Sequence, residues 1–289
     1  MIQLDWTKKI AAASLAMTLG LTACTGNQDN NAGELSVGTD ANQLFQTKSI
    51  ADFDLRGTKK IVLTYDDGPT PGVTEPLLDL LRKYNIKATF FMLGQAVKGQ
   101  EATLRRMKAD GHILANHSYS HANLSKNIYY LDINSLLHEV RDSNNKIQPF
   151  MNPAHRMYFR APYGAWTASH AAKLNQMKDL KDYIGPVFWN AGGEITPRGT
   201  RPQSSSQITT AADWDCWTNN PKKNIRPVPV DVCTAGYFKE ITSKGGGVVL
   251  LHDKNIKTVE LSAKLIPMLL NAGYTFVNLD DVRSLDKYE

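Results

Sequence analysis

From residue 60 onward, short apolar runs alternate with segments whose apolar positions fall three and four apart. The runs cover residues 60–65, 88–93, 112–115, 157–159, 186–189, 247–251 and 274–279. Several are rich in β-branched or aromatic residues and bounded by Gly, Pro or Asp, as buried parallel strands are. Between the first two, residues 73–84 place Leu77, Leu78, Leu80, Leu81 and Tyr84 largely on one face of a helix. Residues 95–109, 133–147 and 259–271 read the same way, the last stopping at Asn271-Ala272-Gly273. This alternation predicts an α/β fold, a distorted (β/α) barrel of about seven parallel strands. An open doubly wound sheet is the alternative, because periodicity carries no information on closure.

Two stretches depart from the rhythm. Residues 191–235 hold Gly, Pro, Ser and Asn clusters with two of the three cysteines, and read as a long insertion loop in a domain spanning 51–289. At the N-terminus, Lys8 and Lys9 precede an apolar run over 10–21. It is too short to span a bilayer stably and the right length for a secretory leader. The run ends in Leu21-Thr22-Ala23-Cys24, which resembles a bacterial lipobox. The expectation is a leader over 1–23, lipid modification of Cys24, and an exported protein anchored in the cell envelope, in the periplasm or at the outer membrane. An ordinary signal peptide with an incidental cysteine is the alternative. Residues 24–50, rich in Asn, Gly, Thr, Gln and Asp, read as a flexible tether.

Composition narrows the partners. The 289 residues are 42% hydrophobic and 21% charged, enough for one large domain. The net charge of +5 falls by one when Asp5, Lys8 and Lys9 leave with the leader. With no basic run, it gives no case for nucleic acid, and no motif points to an obligate protein partner. After Cys24, the pair Cys216 and Cys233 remains, and in an exported chain an even pair predicts a disulfide. Closing so short a loop contributes about 3 kcal/mol in the chain-entropy model. Two free or metal-binding thiols are the weaker alternative, since no CxxC spacing is present.

Four polar clusters are candidates for chemistry. Thr64-Tyr65-Asp66-Asp67-Gly68-Pro69 closes the first predicted strand, and its adjacent carboxylates before Gly-Pro could equally be turn chemistry. His117-Ser118-Tyr119-Ser120-His121 follows the third. An i,i+4 histidine pair on a helical turn presents both imidazoles on one side, as a metal site needs. No glutamate follows His117, so a third ligand and a base must come from elsewhere. Arg160-Ala161-Pro162-Tyr163-Gly164 ends the fourth strand, and Leu250-Leu251-His252-Asp253 ends the sixth, where a histidine is often only a satisfied core residue. All four lie at C-terminal ends of predicted strands, where a barrel of this class builds its active site.

In this order the clusters resemble the polysaccharide deacetylase family, carbohydrate esterase family four, which contains chitin, peptidoglycan and nodulation-factor deacetylases. The resemblance runs over residues 58–282. It implies that Asp67, His117 and His121 bind one divalent metal, zinc being the expected ion, with a position left open for water. It implies Asp66 as general base with Arg160 paired to it, the backbone N–H of Tyr163 in the oxyanion site, and His252 as the acid that protonates the leaving amine. The family pattern continues with Trp-Asp after the fifth strand, and here the chain has Phe188-Trp189-Asn190 with Glu194 beyond. Asp213-Trp214-Asp215 follows only after the long loop. Asp213 is the favoured partner of His252, with Trp214 lining the acetyl pocket; Asp215 and Glu194 remain open, and Asn190 would lack the charge.

The implied activity is hydrolysis of the N-acetyl group of N-acetylglucosamine units in a polysaccharide, peptidoglycan first, then chitin oligomers or an exopolysaccharide. The alternative is a catalytically degenerate wall-polysaccharide-binding protein on the same fold, against which the intact clusters argue. A glycosidase would need carboxyls about 5–9.5 Å apart on different strands, whereas Asp66 and Asp67 are chain neighbours.

Overall fold

The computed structural model describes residues 44–193, 211–223 and 226–288. Eight strands occur among them: β1 Phe45–Ile50, β2 Lys60–Asp66, β3 Thr89–Met92, β4 Ile113–Asn116, β5 Met157–Tyr158, β6 Tyr183–Val187, β7 Gly247–His252 and β8 Thr275–Phe276. Every pairing is parallel. The strands run in the orders β1-β6-β5 and β4-β3-β2-β7, with β8 on β2. Parallel bridges from Asn116 to Phe159 and from Ala191 to Val249 join these two sheets at both seams. The ring therefore closes into a distorted barrel, and the open sheet is excluded.

Period-two alternation sorts the strand residues between two cores. Val62, Phe91, Ile113, Ala115, Tyr158 and Val248 face one another inside, together with Leu279, Val282 and Leu285 from the C-terminal segment. Ile61, Leu63, Tyr65, Phe90, Met92, Leu114, Val249 and Leu251 face outward onto helices. The helices among the described residues are α1 (Thr74–Lys83), α2 (Glu101–Ala109), α3 (Asn127–Leu131), α4 (Ile133–Leu137), α5 (Ser143–Ile147), α6 (Ala168–Leu174), α7 (Val230–Lys244) and α8 (Ile256–Asn271). On α1, Leu77, Leu78 and Leu81 are buried, with Glu75 in the first turn and Arg82 and Lys83 in the last, a charge order that suits the helix dipole. The Asn255 side chain caps α8 by accepting from the Lys257 N–H at 3.0 Å.

Two expectations are corrected. The tether does not reach residue 50: Phe45–Ile50 forms β1 against β6, with Phe45 and Ile50 buried. Four polar residues separate those two apolar ends, so the run reads as polar, yet each buried end contributes about 1.5–3 kcal/mol. This adds one strand to the seven read from the sequence, in keeping with a barrel of about seven. The insertion does not reach residue 235, because α7 begins at Val230. Its buried stripe uses Cys233, Thr234, Gly236, Tyr237, Glu240 and Ile241, a helical spacing disguised by small and polar residues. The leader 1–23, Cys24, the tether up to residue 43, and Glu194 lie outside the described residues. Among the described residues, no helix is long and apolar enough to cross a membrane.

Candidate active site

The C-terminal ends of the strands meet at one mouth, and the two neighbouring carboxylates leave β2 in different directions. Asp66 ends the strand in register with His252 of β7. Asp67 turns out of it with φ 77°, while its N–H donates to the Phe91 carbonyl at 3.1 Å. Aspartate tolerates that left-handed conformation better than most residues. The next residue has no room for a side chain: a Cβ on Gly68 would lie 2.0 Å from Asp253 Oδ2. Asp253 is buried under this turn and accepts from Thr74 Oγ1 at 2.7 Å. Burial, then repulsion from Asp67 and Asp66, pushes its carboxyl up to about 7.

His117 and His121 converge on Asp67, but not from a helical turn. The 117–121 segment is a loop in which Ser118 and His121 have φ of 72° and 63°. Asn116 Oδ1 accepts from the Ser118 N–H at 2.9 Å, and Ser118 Oγ from the His121 N–H at 3.1 Å, so the loop doubles back on itself. His117 Nε2 and His121 Nε2 lie 3.6 and 3.2 Å from Asp67 Oδ1. One ligand atom from each of the three residues lies within 4.8 Å of the others.

The donor set fits a divalent cation. His117 Nδ1 stands 2.8 Å from the Arg160 carbonyl, which can only accept, so Nδ1 carries the proton and Nε2 presents its lone pair. Burial, helped by His117 and Lys254, pushes His121 down to about 4 against the pull of Asp67, leaving its ring neutral at neutral pH. Asp67 Oδ1 is buried without a hydrogen-bond partner, a costly state for a carboxylate oxygen unless a cation faces it. Burial acts to raise the Asp67 carboxyl, yet His117, His252, His121 and Lys254 together hold it below its ordinary value. The Lys254 ammonium lies 3.2 Å from Asp67 Oδ2. Two imidazoles and one carboxylate are a donor set that suits a divalent cation.

Arg160 fixes the other carboxylate. Its buried guanidinium donates to Asp66 Oδ1 at 2.7 Å, Thr64 Oγ1 at 2.8 Å, and the carbonyls of Val187 and Phe188 at 3.1 and 3.2 Å. It also lies over the Phe91 ring, 4.0 Å from the centroid. Burying a cation is expensive, and this full set of partners offsets the cost. Asp66 Oδ2 is left toward His117 Nε2 at 3.6 Å.

Opposite stands His252. Asp213 Oδ1 is 2.8 Å from its Nδ1, and Asp213 Oδ2 accepts from the His252 N–H at 2.7 Å and from Thr258 Oγ1 at 2.8 Å. Burial acts to lower the imidazole, but Asp213, then Asp66 and Asp67, raise it to about 9. Asp213 has the largest effect of these carboxylates and is bonded to the ring itself. Losing that charge must lower the pKa, because a negative neighbour favours imidazolium. Asp213→Asn is therefore expected to lower turnover and move the alkaline limb of the pH–rate profile downward, with metal content unchanged. A pH profile that keeps the wild-type alkaline limb would show that another group governs the acid. Asn190 does not serve here: its Oδ1 accepts from the Val248 N–H at 2.8 Å, near the start of β7.

A cavity of about 440 Å³ opens over these groups, with Tyr163, Trp189, Trp214, Trp217, Leu250 and Lys254 among its walls. Trp214 meets the His252 ring edge-on at 5.2 Å. Tyr163, with φ 59°, stands at the rim, 67% exposed. The short helical turn Asp213–Cys216 is tied to α7 by a Cys216–Cys233 disulfide, and the Asp213 N–H donates to the Tyr237 hydroxyl at 3.1 Å. Sequence reasoning missed Trp217 and Lys254 and gave no role to Asp253, although it stands in the fourth cluster. Asp253 and Lys254 directly follow His252, and that adjacency was the one signal available.

Residues 55–179 match the family described as polysaccharide deacetylase. A chitooligosaccharide deacetylase of Bradyrhizobium sp. (strain ANU 289) is 39% identical over 235 residues, covering 76% of this chain and 89% of that protein. A peptidoglycan-N-acetylmuramic acid deacetylase of Bacillus subtilis (strain 168) is 26% identical, covering 78% of this chain and 71% of that protein. A solved peptidoglycan N-acetylglucosamine deacetylase superposes with a TM-score of 0.57 at 23% identity, covering 83% of this chain and 92% of its own. That last likeness concerns the fold.

Proposed function

The chain belongs to the polysaccharide deacetylase family, and on that premise we propose that it removes acetyl groups from N-acetylglucosamine units of a polysaccharide, releasing acetate. One observation carries the reading. Asp67, His117 and His121 converge on one edge of a cavity whose other groups include Asp66 and His252, so a metal, a base and an acid can reach one amide. Asp67, His117 and His121 would hold the ion, with zinc preferred on donor type. When bound, it supplies Lewis acidity toward the acetyl carbonyl and lowers the pKa of water.

The chain's own residues supply the rest. Asp66, held at Oδ1 by Arg160, would take the proton from the attacking water. The Tyr163 N–H would stabilise the developing oxyanion. His252, raised by Asp213 and kept protonated, would pass its proton to the leaving nitrogen. The C–O bond would form first, and the C–N bond would break as the nitrogen takes the proton, giving acetate and a free amine. Trp214 would line the acetyl pocket and shield the acid from water.

Peptidoglycan is the first proposed substrate, because the leader and the lipobox at Cys24 would tether the domain in the envelope beside it. Chitin oligomers are the second reading, favoured by the 39% identical relative named for them; an N-acetylated exopolysaccharide comes next. Acetate release from peptidoglycan, chitin oligomers and a β-1,6-linked N-acetylglucosamine polymer, with zinc supplied, tests the proposal. Release from at least one is expected, fastest from peptidoglycan. Binding to the polymers without any acetate release would instead identify a degenerate binding protein.

A further inference from the structure

Glu139 lies outside the cavity and belongs to none of the sequence clusters, yet it is buried, at 3% exposed. Its carboxylate accepts from the Tyr119 N–H at 3.1 Å, the Ser120 N–H at 2.9 Å and Ser120 Oγ at 2.6 Å. All three donors belong to the loop between His117 and His121. We infer that Glu139 is a positioning residue for the metal site, holding the Tyr119-Ser120 turn so that His121 Nε2 faces Asp67. The inference rests on the metal-site reading above.

The loop needs such an anchor. Ser118 and His121 are both held at positive φ, a region disfavoured for any residue with a Cβ. Short local bonds from Asn116 and Ser118 close its two ends. At the apex, the Tyr119 and Ser120 N–H groups converge on one carboxylate. Bonds to a charged acceptor are roughly twice as strong as neutral ones, so one glutamate can hold what two neutral acceptors would hold loosely.

The presenting element is built for it. Glu139 lies on a π-helical turn, His138–Asp142, set between α4 and α5. Such turns occur mostly as single-turn bulges inside α-helices and are frequent at functional sites. The helix stays tied to β4, because Asn116 Nδ2 donates to the Val140 carbonyl at 2.9 Å while Asn116 Oδ1 holds the loop. The His138 ring packs against Tyr119, with centroids 4.9 Å apart. Loop, strand end and π-turn thus form one unit around the two histidines.

The test reads metal binding directly. Zinc affinity is measured by chelator competition, and cobalt absorption serves as a report on ligand geometry, in the wild type, Glu139→Ala and Glu139→Gln. Outer groups that orient ligands typically set 10–100-fold in metal affinity. Glu139→Ala is expected to bind zinc about 10–100-fold more weakly and to change the cobalt spectrum. Glu139→Gln, which keeps one acceptor oxygen, should fall between Glu139→Ala and wild type. Wild-type zinc affinity and an unchanged cobalt spectrum in Glu139→Ala would overturn the inference. If that variant does not fold, the same result in Glu139→Gln overturns it. A wild-type chain that binds neither ion would overturn the metal-site reading and this inference together.

Discussion

His121→Ala is expected to lose bound metal and activity together. The trio has only one carboxylate and two imidazoles, so the variant keeps two donors on an ion that takes four ligands. Removing a direct ligand must exceed the 10–100-fold typical of an outer partner. Alanine keeps the Cβ and therefore the same backbone cost at φ 63°, so the fold should survive and the loss be read as a loss of metal. Elemental analysis after gel filtration checks this. Full occupancy in a folded, inactive His121→Ala would remove His121 from the ligand set.

Asp66→Asn should behave in the opposite way toward metal. The amide has nearly the carboxylate's shape, and its oxygen can still accept from Arg160, which now donates to Asp66 Oδ1 at 2.7 Å. What it cannot do is accept the proton of the attacking water. Turnover should fall by about 10²–10⁴-fold, the usual contribution of a general base, or roughly 3–5 kcal/mol of barrier. Metal content should stay at the wild-type level. Single-turnover acetate release, paired with elemental analysis, separates the two adjacent aspartates. Near-normal turnover would transfer the base to another group.

How much of this was legible depends on how far each signal reaches along the chain. Asp66, Asp67, His117, His121, Arg160 and His252 stand within short runs directly after apolar strands, and such runs keep their order whatever the loops do. The spacing of His117 and His121 misled on conformation, since two residues of that loop take positive φ and periodicity registers side-chain type, not φ. β1 was hidden because only Phe45 and Ile50, at its ends, are buried apolar residues. Glu139 carried no signal, because its partners are two backbone N–H groups and a serine hydroxyl about twenty residues away.

The α/β class, most of the strands, and most of the polar side chains that gather at the cavity were already legible in the sequence, because burial on both faces of parallel strands imposes a local pattern. Tertiary structure alone decided that the barrel closes, through bridges of Asn116 to Phe159 and Ala191 to Val249. It also decided that, among the described acids of the insertion, Asp213 faces His252. A hydrogen bond between residues 39 apart depends on where two chain segments meet in space, and segments so separated leave no periodic trace along the chain.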